Sequence, residues 1–296
     1  MGMTVGVIGI GAMGEPIATH LAKAGHRLVG FDPDPQRRAV LRALGGAPAS
    51  SAGAAVAEAE VSLLLLPTPR ALDEVVQDIA ARPVAGALVL ECGTFPIADK
   101  ERARDVLAAR GVVLLDCPLS GTAAQAAEKH LSLFGSGDRR HYERALPVIE
   151  AFTERADYVG PFGNGMRLKL VANTLVVTNT AAAAEALALA DRLGLDLALT
   201  HAVLSASPAA SSAMFKHRGA LMVARRYQPA GGALAILMKD AGVIADAAKA
   251  AGADMPLFNA AAERYRAAYA KGSPARDAAV VFEEFLAAGG AGRRNP

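Results

Sequence analysis

A chain of 296 residues with 52% apolar side chains is long enough for one large domain or two ordinary ones with substantial cores. Aromatic residues make up only 5%, so the core is aliphatic, which favours helix-rich or α/β packing over an aromatic-heavy β sandwich. A net charge of +2, with acids and bases interspersed and no basic stripe between aromatics, speaks against a nucleic-acid partner.

The N-terminal stretch "MGMTVGVIGIGAMG" is apolar but has no basic leader, and glycines interrupt it every few residues, so it does not read as a signal peptide. No uninterrupted apolar run reaches membrane length. The two cysteines, Cys92 and Cys117, form no CxxC pair and no metal-type cluster with the six histidines, which fits a reducing compartment. The expectation is a soluble, cytoplasmic protein with no membrane partner and no metal.

Two periods alternate up to about residue 162. Apolar runs ("TVGVIGI", "RLVGFD", "VSLLLLP", "ALVLEC", "VVLLDCP", "LSLFGSG", "ADYVG") are separated by amphipathic stretches such as "EPIATHLAKAG", "DPQRRAVLRALGG" and "KERARDVLAARG". Continuous apolar strands between helices predict a largely parallel sheet covered on both faces. Residues 1–162 therefore read as a doubly wound α/β domain, and residues 163–296 as an all-helical one. There "MRLKLVANTLVVTNTAAAAEALALADRLG" reads as one helix about 43 Å long, starting at Asn164 or Gly165 with Gly194 as its C-cap. Its alanine-rich edges suit packing on several partners, some from another subunit. Helices over 196–206, 208–223, 233–251, 256–271 and 275–289 follow, and the tail "GGAGRRNP" reads as disordered.

Gly9, Gly11 and Gly14 form G-x-G-x-x-G directly after a strand and at the opening of a helix, which is the context the dinucleotide fingerprint requires. Gly9 permits a tight turn, Gly11 lets backbone approach a pyrophosphate, and Gly14 lets helix and strand pack closely. With Ala12 and Met13 they present a helix N-terminus, with its free N–H groups and positive dipole end, to the phosphates. Asp32, about twenty residues on, closes the second strand; a carboxylate there accepts from both ribose hydroxyls and repels a 2′-phosphate, which favours NAD. Arg37 and Arg38 follow and leave NADP open. An N-cap role for Asp32 on the next helix is compatible with the ribose role. Two further strand ends point to the cofactor: Leu66 and Pro67 in "LLPTP", and Thr94 in "ECGTFP". Cys92 and Cys117 read as small core side chains.

"DCPLSGT" (116–122) turns through Ser120-Gly121-Thr122, where successive N–H groups and a serine hydroxyl suit a carboxylate. In "GPFGNGMRLKLVAN" (160–173) Lys169 and Asn173, four apart, share one side of a helix whose neighbours Leu168, Leu170, Val171 and Ala172 are apolar. The helix starts where the nucleotide domain ends, which predicts that Lys169 borders the interdomain cleft. Partial desolvation there moves an ammonium toward the range useful for proton transfer. Lys239, beside Asp240 in "LMKD", has two readings, a lysine near the cofactor and an ordinary surface residue.

Together "GVIGIGAMGEPIA", "DCPLSGT", "GPFGNGMRLKLVAN" and "LMKD" resemble the β-hydroxyacid dehydrogenase family over nearly the whole chain. The resemblance implies a Rossmann-type domain joined by a long helix to an all-α domain, and a homodimer or homotetramer. It implies hydride transfer between a nicotinamide cofactor and a small β-hydroxy acid or its semialdehyde or ketone. Carried over residue by residue, Lys169 is the acid/base, Asn173 holds substrate, Ser120 and Gly121 bind its carboxylate, and Thr94 and Lys239 contact the cofactor. Thr122 stands where the family usually has glycine and crowds the substrate loop. His130 stands where glycine is common, and Thr174 replaces a frequent Asn or Gln. Two other readings remain: the imine reductases of this fold, which usually lack the lysine, and a non-catalytic dinucleotide sensor.

Overall fold

A computed structural model describes residues 2–288. The first six strands are β1 (Thr4–Ile8), β2 (Arg27–Phe31), β3 (Ala47–Pro48), β4 (Val61–Leu64), β5 (Leu88–Glu91) and β6 (Val113–Asp116). They form one parallel sheet in the order β3-β2-β1-β4-β5-β6. Consecutive residues of each apolar run enter two different cores. Val7, Leu63, Leu90 and Leu115 face one layer, while Ile8, Leu64, Val89 and Leu114 face the other. A strand covered on both sides has no polar face to display, which is why these runs are continuously apolar.

Between the strands lie α1 (Gly14–Lys23), α2 (Pro35–Ala43), α3 (Ala52–Glu58), α4 (Pro69–Ala81) and α5 (Ile97–Ala108). The strand order reverses between β1 and β4, and in such sheets ligands bind beyond the carboxyl ends of the strands at that point.

The runs at "LSLFGSG" and "ADYVG" do not extend this sheet. They build a second, three-stranded one, in which β7 (Leu119–Ser120) lies antiparallel to β8 (Ser132–Gly135) and β8 lies parallel to β9 (Arg155–Tyr158). The chain leaves β6 through Pro118, which has no N–H to continue a ladder. Helices α6 (Ala123–Ala127) and α7 (Arg139–Phe152) belong to this portion.

α8 runs unbroken over Asn164–Arg192, 29 residues. Gly194 takes a left-handed conformation just past its end, and the Leu195 N–H closes onto the Ala190 carbonyl at 3.0 Å. The chain contacts divide into a unit ending at Lys169 and a unit beginning at Leu170. α8 is also long and apolar enough, by length and composition, to cross a membrane. It nevertheless carries Arg167, Lys169, Glu185 and Asp191, and Val177, Ala184 and Leu187 are buried in the protein.

The second unit is helical: α9 (Leu197–Ala206), α10 (Ala213–Val223), α11 (Leu234–Ala251), α12 (Pro256–Ala270) and, after a 3-10 turn, α13 (Phe282–Ala288). The helix expected over 208–223 starts only at Ala213, where the Ser212 hydroxyl caps it by accepting from the Phe215 N–H. The one expected from 275 begins as the 3-10 turn Ala278–Val281, capped by Asp277, which accepts from the Ala279 N–H and also from the Gly232 N–H. Residue 289 and the tail "GGAGRRNP" lie outside the described residues. Buried Arg218 ties this unit together, donating to Thr180 at 3.0 Å and pairing with Asp277 at 3.4 Å.

Candidate active site

The three fingerprint glycines do different jobs. Gly9 has φ +93°, and a Cβ there would strike the Leu65 carbonyl; a Cβ on Gly14 would strike the carbonyl of Gly9. These two allow the turn and α1 to close on the sheet. A Cβ on Gly11 would meet nothing within 4 Å, so its face of the turn is open. That open face fits a pyrophosphate. In the same unit α2, α3, α4, α6 and α7 start with side-chain caps from Asp34, Ser51, Thr68, Thr122 and Asp138. α1 and α5 have none: Met13 and Pro96 stand at their cap positions. No side chain caps the first turn of either helix, and both follow strand ends that the sequence assigns to the cofactor.

This predicts a contrast. Gly11→Ala leaves the melting temperature nearly unchanged and weakens NAD(H) binding by at least about tenfold, roughly 1.4 kcal/mol. Gly14→Ala lowers the melting temperature by more than about 5 °C. Thermal unfolding alongside a cofactor titration checks both, and the opposite pattern would reverse the assignment.

Asp32 is buried at the end of β2. One oxygen accepts from the Ile10 N–H at 2.8 Å and the other from the Asp34 N–H at 2.9 Å. The carboxylate thus locks the glycine turn to the neighbouring strand end. The cap of α2 is Asp34, which accepts from the Gln36 N–H, not Asp32; Pro35 rather than Pro33 takes the first helical position, because the helix starts two residues later. Arg38 donates to the Asp32 and Pro33 carbonyls, and Arg37 pairs with Glu15 at 3.4 Å. Leu66 is half-buried and Pro67 exposed beyond β4, and Thr94 is half-buried beyond β5. Cys92 and Cys117 are buried, and burial first of all pushes both thiols up, which agrees with a packing role.

Ser120 ends β7, and Gly121 follows at φ +144° with the Leu131 side chain where its Cβ would sit. Thr122 has a definite task. Its hydroxyl accepts from the Gln125 N–H at 3.3 Å, and its own N–H donates to the Gln125 side-chain oxygen at 2.9 Å, a reciprocal capping box for α6. That N–H is therefore spent on the cap and is not open to the carboxylate expected at this turn. His20 of α1 donates from Nε2 to the Ala126 carbonyl at 2.9 Å and so pins the far end of α6. His130 is exposed beside Glu128.

Lys169 is only 7% exposed, as is Asn173, whereas Leu168, Val171 and Leu175 are 39%, 61% and 56% exposed. In this segment of α8 the lysine and asparagine share the buried face with Met166, Leu170 and Val177, while Leu168, Val171 and Leu175 face out. Within the helical unit, Asn173 donates to Asp240 at 3.0 Å, and Asp240 pairs with Lys239 at 3.0 Å. Lys239 is partly exposed and Asp240 largely buried, so the carboxylate of "LMKD" is the link to Asn173.

A buried ionic cluster escaped the motif reading. The Lys100 ammonium lies 2.6 Å from Glu91 and 2.7 Å from Asp116, all three fully buried. Burial by itself pulls the Lys100 ammonium down, but the two carboxylates outweigh it and hold it above the ordinary lysine range. Burial pushes the Glu91 carboxyl above the usual carboxylate range, with Lys100 opposing. Asp116 also accepts from the Ser136 hydroxyl at 3.0 Å and from the Met166 N–H at 2.8 Å. The available signal was one acid closing each of two adjacent apolar runs.

Residues 4–160 match the family described as the NAD binding domain of 6-phosphogluconate dehydrogenase. Residues 163–284 match the one described as the NAD-binding of NADP-dependent 3-hydroxyisobutyrate dehydrogenase. A probable 3-hydroxyisobutyrate dehydrogenase of Mycobacterium tuberculosis is 31% identical over 268 residues, 88% of this chain and 91% of that protein. The NAD-dependent L-serine dehydrogenase of Pseudomonas aeruginosa is 33% identical over 291 residues, 95% of this chain and 97% of that one. The solved structure of M. tuberculosis 3-hydroxyisobutyrate dehydrogenase with L-serine superposes with a TM-score of 0.87 at 30% identity, covering 96% of this chain and 99% of that one. With its glycine turn, its doubly wound sheet and both halves matched in order, the chain belongs to the β-hydroxyacid dehydrogenase family and is an NAD(P)-dependent oxidoreductase of hydroxyacids.

Proposed function

We propose that the protein interconverts a small β-hydroxy acid and its semialdehyde or ketone, with Lys169 as the proton carrier and NAD as the preferred cofactor. The observation that carries the reading is the burial of Lys169 on a helix where Leu168, Val171 and Leu175 stay exposed. Burying an ammonium costs free energy that an aliphatic side chain at the same place would not, which supports a functional reading of the position. The substrates in the relatives' names, 3-hydroxyisobutyrate and L-serine, share a carboxylate and a hydroxyl on the β carbon.

In this reading the Ser120 hydroxyl and Gly121 N–H hold the substrate carboxylate, which fixes the β carbon. Neutral Lys169 takes the proton of the β-hydroxyl during oxidation, and its ammonium returns a proton to the carbonyl oxygen during reduction. Gly9, Gly11, Ala12, Met13 and Gly14, with Leu66, Pro67 and Thr94 at the neighbouring strand ends, hold the dinucleotide. When bound, that cofactor supplies the hydride acceptor or donor, and the protein supplies position and charge. Asp32 takes the ribose hydroxyls and sets the preference against a 2′-phosphate. Removing its charge, as in Asp32→Ser, shifts the ratio of kcat/KM for NAD+ over NADP+ toward NADP+ by at least about tenfold. Paired initial-rate measurements check this, and an unchanged ratio removes Asp32 from cofactor choice.

The exposed stripe Leu168, Val171 and Leu175 suits a homodimer or homotetramer, and we place the protein in the cytoplasm as a soluble enzyme. Light scattering after gel filtration tests the assembly. The decisive assay follows nicotinamide absorbance with β-hydroxy acids, α-hydroxy acid controls and both cofactors. Turnover confined to the β-hydroxy acids supports the assignment. Silence across the set, with cofactor still bound, favours a dinucleotide sensor.

A further inference from the structure

Local carbonyls hold the Asn164 and Arg167 N–H groups at the start of α8, but the two between them are held from elsewhere. The Gly165 N–H donates to the Ser136 hydroxyl at 2.9 Å, and the Met166 N–H donates to Asp116 at 2.8 Å. Both acceptors come from other elements, one just beyond β8 and one at the end of β6. Close approach is required here: a Cβ on Gly165 would run into the Phe134 and Asp116 carbonyls. The positive end of α8 therefore abuts a carboxylate that is itself tied down. The other Asp116 oxygen binds Lys100 at 2.7 Å, Lys100 binds Glu91, and Glu91 accepts from the Gly93 N–H at 2.7 Å in the loop that leads to Thr94.

Three buried charges are an expensive way to stabilise a domain, because desolvation offsets much of their attraction and an apolar cluster of the same shape does as well or better. What they provide is direction and distance. Each bond is short, each partner is fixed by the next, and the last link is the first turn of the helix that carries Lys169. The Lys169 amide bonds the Gly165 carbonyl in the regular i to i−4 pattern, so Lys169 stands one turn from the anchor.

We infer that Glu91, Lys100, Asp116 and Ser136 are positioning residues that aim Lys169 by fixing the first turn of α8, while the same network fixes the Thr94 loop through Gly93. This rests on the reading of Lys169 as proton carrier. A misplacement of about 1 Å in a reacting group costs on the order of a hundredfold in rate, so a loosened first turn shows in turnover more than in binding.

The experiment compares Ser136→Ala, Asp116→Asn and Lys169→Ala in the full chain by steady-state kinetics across pH, cofactor titration and amide hydrogen exchange of the segment 164–169. Ser136→Ala is the mild variant and keeps the ionic cluster, so it serves if Asp116→Asn does not fold. The expected result for Ser136→Ala is a kcat lower by about tenfold, KM and cofactor Kd within about twofold, faster exchange in 164–169, and a displaced pH limb for the group that Lys169→Ala abolishes. A folded Ser136→Ala protein with wild-type kcat and pH profile overturns the inference, and so does unchanged exchange in 164–169. If Lys169→Ala itself retains turnover, the role of Lys169 falls, whereas the exchange measurement still decides whether the anchor exists.

Discussion

Replacing Lys169 with alanine is expected to lower kcat by about 10²–10⁴-fold, equivalent to roughly 3–5 kcal/mol of lost transition-state stabilisation. NAD(H) affinity is expected to stay within about twofold, because the glycine turn and Asp32 are held by hydrogen bonds of their own that do not involve this side chain. Lys169→Arg is expected to fail as well. A guanidinium keeps the charge but does not release its proton at working pH, so it cannot serve as a base. Small primary amines added to Lys169→Ala are expected to restore part of the rate, since the space left by the side chain admits them. Stopped-flow turnover with fluorescence titration of NADH measures both quantities. Turnover near the wild-type level in Lys169→Ala would falsify the acid/base assignment.

The second large effect is structural. Lys100→Met is expected to destabilise the nucleotide-binding unit by about 3–5 kcal/mol, because it leaves the Glu91 and Asp116 carboxylates buried without their shared cation. For a domain of this size the melting temperature falls by roughly 10 °C. The pH dependence follows from the sign of the Glu91 shift. Burial already raises that carboxyl above its unfolded range, and losing Lys100 removes the main force acting the other way. A group whose folded value is raised contributes stability that is present at pH below about 4.3 and lost as pH climbs through the folded value. The deficit of Lys100→Met against wild type is therefore largest near neutrality and narrows on acidification toward pH 5. Adding Glu91→Gln is expected to recover part of the loss, since it removes one stranded charge. Calorimetry at pH 7.5 and pH 5 tests this, and a deficit that widens on acidification would contradict it.

Much of the first unit is legible in the sequence itself. Strands buried on both sides must be apolar at consecutive positions, so the five long runs of the main sheet stand out against the 3.6-residue period of α1, α2 and α5, whereas the two-residue edge strand β3 does not. The glycine turn was readable for a related reason. Backbone collisions at Gly9 and Gly14 forbid any side chain, and Gly11 has to leave its face open, so three positions carry a local steric code. Gly194 at the end of α8 is another such case.

Features that depend on pairing between distant segments were not readable in this way. The stretches "LSLFGSG" and "ADYVG" read as strands like those before them, but which strands they pair with is decided by distant segments, and they join a second sheet. Asp32 and Asp34 are both acids near the start of α2. Which one caps it depends on where the helix begins, and Asp32 is drawn away by the distant Ile10 N–H. Glu91 and Asp116 become neighbours only because β5 and β6 pair in the register that sets them opposite each other, and Lys100 reaches them from α5.

Lys169 shows both sides of this. Its residue type and its spacing from Asn173 mark the segment in one dimension. Periodicity ranks the faces of a helix by polarity, but burial is decided by what packs against each face. On that basis alone the lysine would be sent outward and its aliphatic neighbours inward, yet packing buries Lys169 beside Leu170 and leaves Leu168, Val171 and Leu175 exposed.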